Sequence, residues 1–248
     1  MSEIWDRCRG PEQIHPIAGE LFRFVESQEQ VATNQLVDSL QEQAILEELL
    51  EGNKPPERGG CENLHYLLKT LFRYPPLPWG SRFGRRFEPS LFYGSLELPT
   101  ALAETAYYRL LFYHSMETPP PSKLLRTEHS SFKVSYQTAS GIQLQHPPFD
   151  NHREQLRHVS DYAVTQSLGN AMRESGVEAF EFFSARCEEG LNVALFVPAA
   201  LGEQQPRELT HWLCETSGEH VAFKRAVGGV VNFSLEQFAV NGSLPGAV

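Results

Sequence analysis

GSRFGRRFEPSLFYGSLELPTALAETAYYRLLFY, residues 80–113, decides how this chain is read. Its middle, Leu91-Phe-Tyr-Gly-Ser, is an apolar run closed by a glycine and predicts a buried strand. Pro99 falls where the first turn of a helix tolerates a residue without an N–H, and Thr100–Phe112 is predicted to be that helix. Arg82, Tyr93 and Glu104 lie at equal intervals along this strand-to-helix unit. The guanidinium offers a planar fork of donors to phosphate oxygens. The phenol gives a stacking face with a polar tip, and the carboxylate a base or a stabiliser of developing positive charge. Together they are a kit for holding and cleaving a nucleotide. Gly80, Ser81 and Gly84 bracket Arg82 and let a ligand approach the backbone.

Each residue also has an ordinary reading. Arg82 is otherwise a surface arginine paired with a glutamate, Glu104 an exposed helix carboxylate, and Tyr93 a core tyrosine with a satisfied hydroxyl. Further along, Ser184 stands between Phe182-Phe183 and Ala185-Arg186, where a hydroxyl serves either a ligand or a turn. No nucleophile elbow surrounds it, which argues against covalent serine catalysis.

Upstream, residues 19–28 (GELFRFVESQ) alternate apolar and polar side chains as a short strand with Arg23 on its polar face. Residues 34–50 carry leucines at helical spacing and stop at Gly52 and Pro55-Pro56. His65–Phe72 is expected to form one or two helical turns, and the prolines of residues 74–78 a stiff approach to Arg82. Downstream, Phe132–Thr138 predicts a strand, and Ser160 caps a helix that ends near Gly176. Leu191–Pro198 predicts a core strand, Pro206–Thr216 a helix, and Val221–Lys224 and Val230–Phe233 two strands joined by a turn at Gly228-Gly229. A Gly/Pro tail follows. No repeat is present, and the mixed order of elements predicts an α+β domain.

Composition narrows the function. The chain has 248 residues and a formal charge of −10, with a pI near 5.4, which argues against nonspecific nucleic-acid binding. Basic residues are dense only from Arg73 to Arg86, a spot suited to a small anion. Cys8, Cys61, Cys187 and Cys214 are scattered without metal-ligand spacing, and are expected to be free thiols. His146, His152 and His158 lack the pattern of a zinc site, so no metal is expected. The amino terminus shows no secretory pattern and no segment is apolar enough to span a bilayer, so a cytoplasmic protein is expected.

The ordered segments Gly80-Ser-Arg82-Phe-Gly, Leu91-Phe-Tyr93, Thr100-Ala-Leu-Ala-Glu104, Tyr162-Ala-Val-Thr-Gln166, Phe183-Ser184-Ala-Arg186 and Leu191-Asn192-Val resemble the RES-domain family, toxins of RES/Xre-type toxin–antitoxin pairs. The resemblance is strongest over residues 80–200, within an expected catalytic region of residues 61–248. Residues 1–60 resemble an N-terminal elaboration of the same domain in a longer subfamily. It implies an ADP-ribosyltransferase-like mixed sheet with flanking helices, NAD as substrate rather than cofactor, and an Xre-type antitoxin that covers the active site. By that resemblance Arg82 binds the NAD phosphates, Tyr93 stacks on or orients the nicotinamide ribose, Glu104 acts at the anomeric carbon, and Ser184 bonds the nucleotide. Arg85-Arg86, Glu88 and the proline-rich approach to Arg82 depart from the family pattern and bear on substrate access.

Residue chemistry agrees. Nicotinamide leaves as a neutral base, so cleavage through an oxocarbenium-like state needs electrostatic stabilisation more than a general acid. Water needs a base such as Glu104, and inorganic phosphate a nearby cation such as Arg85, Arg86 or Arg186. Transfer of ADP-ribose to a protein shares the cleavage step. A non-catalytic partner-binding module, with Arg82 and Glu104 as a structural ion pair, is the remaining reading.

Overall fold

The structure is a computed structural model that describes residues 2–27, 37–118 and 120–246. Alternating side chains build its longest strands. β1 (His15–Glu26) pairs antiparallel with β3 (Leu125–Gln143) from Glu26 opposite His129 to His15 opposite Gly141. β2 (Phe92–Ser95) lies antiparallel to β5 (Leu191–Leu195), which lies antiparallel to β4 (Ala179–Phe183). β4 meets the end of β3 in parallel, and β1 touches β2 at Phe22 opposite Ser95. These pairings close a five-strand ring. From the first half of β3 the sheet continues through β6 (Arg207–Thr216), β7 (His220–Arg225) and β8 (Val230–Ser234), all antiparallel. The result is the expected α+β fold, with a mixed eight-strand sheet.

The helices are α1 (Glu3–Arg7), α2 (Leu40–Gly52), α3 (Tyr66–Arg73), α4 (Leu98–His114), α5 (Arg153–Leu156) and α6 (Ala163–Glu174). α4 begins with Pro99 in its first turn, as expected. It packs against β1 and β2 on one side and β6 and β7 on another. Ala101, Leu102, Ala106, Tyr107 and Leu110 join Phe24, Trp212, Val221 and Phe223 in one apolar cluster. A helix buried this far round shows no apolar stripe, so its periodicity does not reveal which way Glu104 faces.

Several sequence expectations change. Residues 206–216 are not a helix: Arg207–Thr216 is strand β6, in which Trp212, Cys214 and Thr216 alternate onto the buried face. Pro206 precedes a period-two pattern, and pairing with β3 satisfies its backbone. Ser160 does not cap α6. The helix starts later, with Tyr162 at the N-cap and the Asp161 carboxylate accepting the Ala163 N–H at 2.9 Å. α2 starts at Leu40, after Ser39 accepts the Glu42 N–H at 3.2 Å. Residues 28–36, the end of the first expected strand and the start of this helix, lie outside the described residues. Leu40, Ile45, Leu49 and Leu50 of α2 are exposed. The four cysteines are free thiols.

Candidate active site

A tight hairpin carries Arg82. Ser81 and Gly84 bridge its base, with the Ser81 N–H bonded to the Gly84 carbonyl at 2.7 Å. Gly80 enters at φ +81°, a conformation that favours glycine. The hairpin is fixed from two sides. Gln166 of α6 donates from Nε2 to the carbonyls of Trp79 and Ser81 at 3.0 and 3.1 Å. Gly169 lies so close that a Cβ there would stand 1.9 Å from the Phe83 carbonyl oxygen. Tyr93 secures the hairpin from β2, its hydroxyl 2.9 Å from Ser81 Oγ and accepting the Phe83 N–H at 3.1 Å. Burial pushes the Tyr93 phenol up to about 12, so it stays protonated. Its ring meets Phe182 edge-on at 6.4 Å.

Arg82 itself donates from Nη1 to the His158 carbonyl at 2.8 Å, and its guanidinium lies 4.7 Å from the centre of the Tyr162 ring.

Glu104 projects from α4 towards the loop between β4 and β5. Its Oε1 accepts from Ser184 Oγ at 2.6 Å and Asn192 Nδ2 at 2.7 Å. Asn192 is oriented in turn, its Oδ1 accepting from Ser95 Oγ at 2.7 Å. Ser184 is fully buried, and its oxygen accepts the N–H groups of Arg186 and Cys187 at 3.0 and 3.1 Å. Its one proton goes to Glu104 and its acceptor sites to the turn. Arg157 latches that turn, donating to the carbonyls of Ser184 and Cys187 at 2.7 and 3.2 Å.

Two further guanidiniums stand near this carboxylate. Arg186 lies over the Tyr107 ring at 3.4 Å and donates to the Val159 carbonyl at 2.6 Å. Arg23 of β1 donates from Nη1 to the Tyr93 carbonyl at 2.8 Å, and its buried Nε has no hydrogen-bond partner. Burial brings the Arg23 guanidinium down to about 10, opposed by Tyr108 and Glu104, so it is charged at neutral pH. Tyr108 joins the walls. Although the residue is half exposed, its phenol is raised above the usual range, first by surrounding protein, then by Tyr162 and Glu104, with Arg186 and Arg82 opposing.

The fold therefore gathers Arg82, Glu104, Ser184 and Arg186 around Tyr107, Tyr108 and Tyr162 as a candidate cleft, with Tyr93 behind the arginine hairpin. Among the described residues neither Arg82 nor Glu104 belongs to an ion pair, so the Arg82–Glu104 bridge of the module reading is absent. Arg23, Asn192, Tyr107, Tyr108 and Tyr162 join the candidate site without a role expected from the sequence, although Tyr162 and Asn192 lie in the segments that resemble the family. Two had a signal: Asn192 is a lone polar residue in an apolar strand, and Arg23 is a cation in an alternating one.

A cavity of about 390 Å³ between α1, α5 and α6 shares none of these residues. Among the described residues no group of three His, Cys, Asp or Glu is placed to hold a metal ion, and no helix is long and apolar enough to cross a membrane.

No curated protein matches the chain. The family model described as "RES domain" matches residues 57–217, an interval that contains Arg82, Tyr93, Glu104, Ser184 and Asn192 but not β1 with Arg23, nor β7 and β8. With most of its length matched, the chain belongs to the RES domain family.

Proposed function

We propose that the protein is an NAD-degrading toxin that cleaves the bond between nicotinamide and ribose, with inorganic phosphate or water as acceptor. One observation carries the reading most: a carboxylate oriented by neutral donors stands beside three guanidiniums that have no acidic partner. Such a site suits a substrate with a polyanionic middle and a carbon that becomes cationic.

In this reading Arg82, Arg186 and Arg23 bind the diphosphate, and the faces of Tyr107, Tyr108 and Tyr162 flank the flat groups. As the C–N bond breaks, nicotinamide leaves with the bonding electrons as a neutral molecule. Glu104 stabilises the positive charge left on the anomeric carbon. A phosphate or water oxygen then forms the new bond to that carbon. Where water attacks, its proton passes to Glu104 or to solvent. Ser184 and Asn192 act as positioning residues, holding one carboxylate oxygen so that the other faces the ribose. Tyr93 holds the hairpin of Arg82. An Xre-type antitoxin that covers the cleft is the proposed partner.

Incubation of the purified chain with NAD, with and without phosphate, tests this through released nicotinamide and the mass of the other product. Phosphorylated ADP-ribose or free ADP-ribose supports degradation and names the acceptor. ADP-ribose attached to a protein supports transfer instead. NAD that remains intact at stoichiometric enzyme overturns the proposal.

A further inference from the structure

The first turn of α4 has a second side. There it borders a half-open pocket of about 530 Å³, formed with β6, β7, β8 and the short turn at residues 235–237. That volume falls within the range of small-molecule sites. The lining is almost wholly apolar, with Leu102, Trp212, Val231 and Phe238 prominent. Two guanidiniums interrupt it, Arg186 and Arg225. Each rests on an aromatic face, Arg186 on Tyr107 at 3.4 Å and Arg225 on Trp212 at 5.2 Å. Among the described residues neither has a carboxylate within ion-pair reach.

Acids outnumber bases in this chain by 31 to 21, so cations left without an acid partner do not follow from a shortage of acids. Stacking also orients both guanidiniums, and apart from the Arg186 Nη2 bond to the Val159 carbonyl it leaves in-plane donors for an anion. Two of the strands that shape the cavity, β7 and β8, lie beyond the RES match, which ends at residue 217.

The geometry points to a second binding site, which shares only Arg186 with the cleft, for a small molecule with an apolar body and one anionic group, such as an aryl carboxylate or sulfonate. The apolar body fills the space between Leu102, Val231 and Phe238, and the anion is held between Arg186 and Arg225.

Calorimetric titration of the full chain with 8-anilinonaphthalene-1-sulfonate, and with the uncharged N-phenyl-1-naphthylamine, tests this without reference to NAD turnover. The sulfonate should bind saturably at one site, at least roughly tenfold tighter than the uncharged probe. Arg225→Gln should remove most of that advantage, and Val231→Trp, which fills the cavity from the edge strand, should abolish binding of both. Thermal melts establish that each variant is folded. If Val231→Trp does not fold, Arg225→Gln alone decides. Absence of saturable binding to the native chain, equal affinity for both probes, or native affinity in folded Arg225→Gln overturns the inference.

Discussion

The acidic and basic walls of the cleft are held by different means. Glu104 is oriented by a chain of neutral side chains, Ser95 to Asn192 to Glu104, with Ser184 from the other side. The guanidiniums of Arg23, Arg82 and Arg186 are held by backbone carbonyls, and two of them by aromatic faces as well. Five other arginines do the opposite: Arg73, Arg109, Arg126, Arg153 and Arg207 each meet a glutamate within 3.0 Å, whereas Arg58 and Arg173 are again held by carbonyls and ring faces. Pairing cancels charge, whereas carbonyls and ring faces fix a guanidinium in place and leave its charge in force. What the site adds is a carboxylate beside such guanidiniums, so opposite charges are oriented but kept apart, which leaves their fields for a ligand.

Removing the acidic wall's charge should have the largest effect. Glu104→Gln keeps the shape but loses the stabilisation of a cationic carbon, and kcat for nicotinamide release should fall on the order of a thousandfold. A native melting temperature would show that the loss is chemical. Arg82→Ala removes one unpaired cation and should lower kcat/KM by roughly a hundredfold, the equivalent of one or two charge-assisted hydrogen bonds. An equal loss from Arg126→Ala, an exposed and paired arginine, would break the distinction between the two classes. Asn192→Ala leaves the charge but frees the carboxylate to turn, and should cost about tenfold in kcat with KM little changed. A change confined to KM would make Asn192 a substrate contact instead.

Much of this contrast was legible in residues 80–113, and the reason is local. Strand, proline-started helix and glycine-bracketed arginine are each written within a few residues, so β2, α4 and the approach to Arg82 followed from the sequence. What partners Glu104 did not. Ser184 and Asn192 reach it only because β5 runs beside β2, a pairing between residues about a hundred apart. Arg23 was legible as a polar-face residue, but an alternating strand normally turns that face to solvent. In this fold Arg23 shares its face of β1 with Leu21 and Val25, which pack into the core, so the expected polar face is buried and Arg23 donates to the Tyr93 carbonyl. The misread helix at residues 206–216 has the same origin, since the partner that makes β6 a strand is the distant β3.

Arg109 carries the comparison into the protein's core and gives its smallest expected effect. This buried arginine pairs with Glu26 at 2.9 Å, and it stands near His129, which stacks on Phe24 at 5.2 Å. Burial first, and the Arg109 charge second, bring the His129 imidazole down from its ordinary 6.5 to about 4. A histidine whose pKa is lowered on folding binds fewer protons folded than unfolded between those values. Its contribution is therefore complete above pH 6.5 and is lost as the pH falls towards 4. Between pH 7.5 and 5.5 the loss should be roughly 1 kcal/mol, read from urea unfolding. Glu51, Glu62 and Glu203 are held low by hydrogen bonds and surrender their share only below the usual carboxylate range, outside this window. His129→Gln should flatten the slope between pH 7.5 and 5.5 while leaving NAD turnover per folded molecule at pH 7.5 unchanged. An unaltered slope would assign the acid sensitivity to another group. A loss of turnover would join this paired arginine's surroundings to the cleft, and the separation of the Glu26–Arg109 pair from the oriented charges around Glu104 would fail.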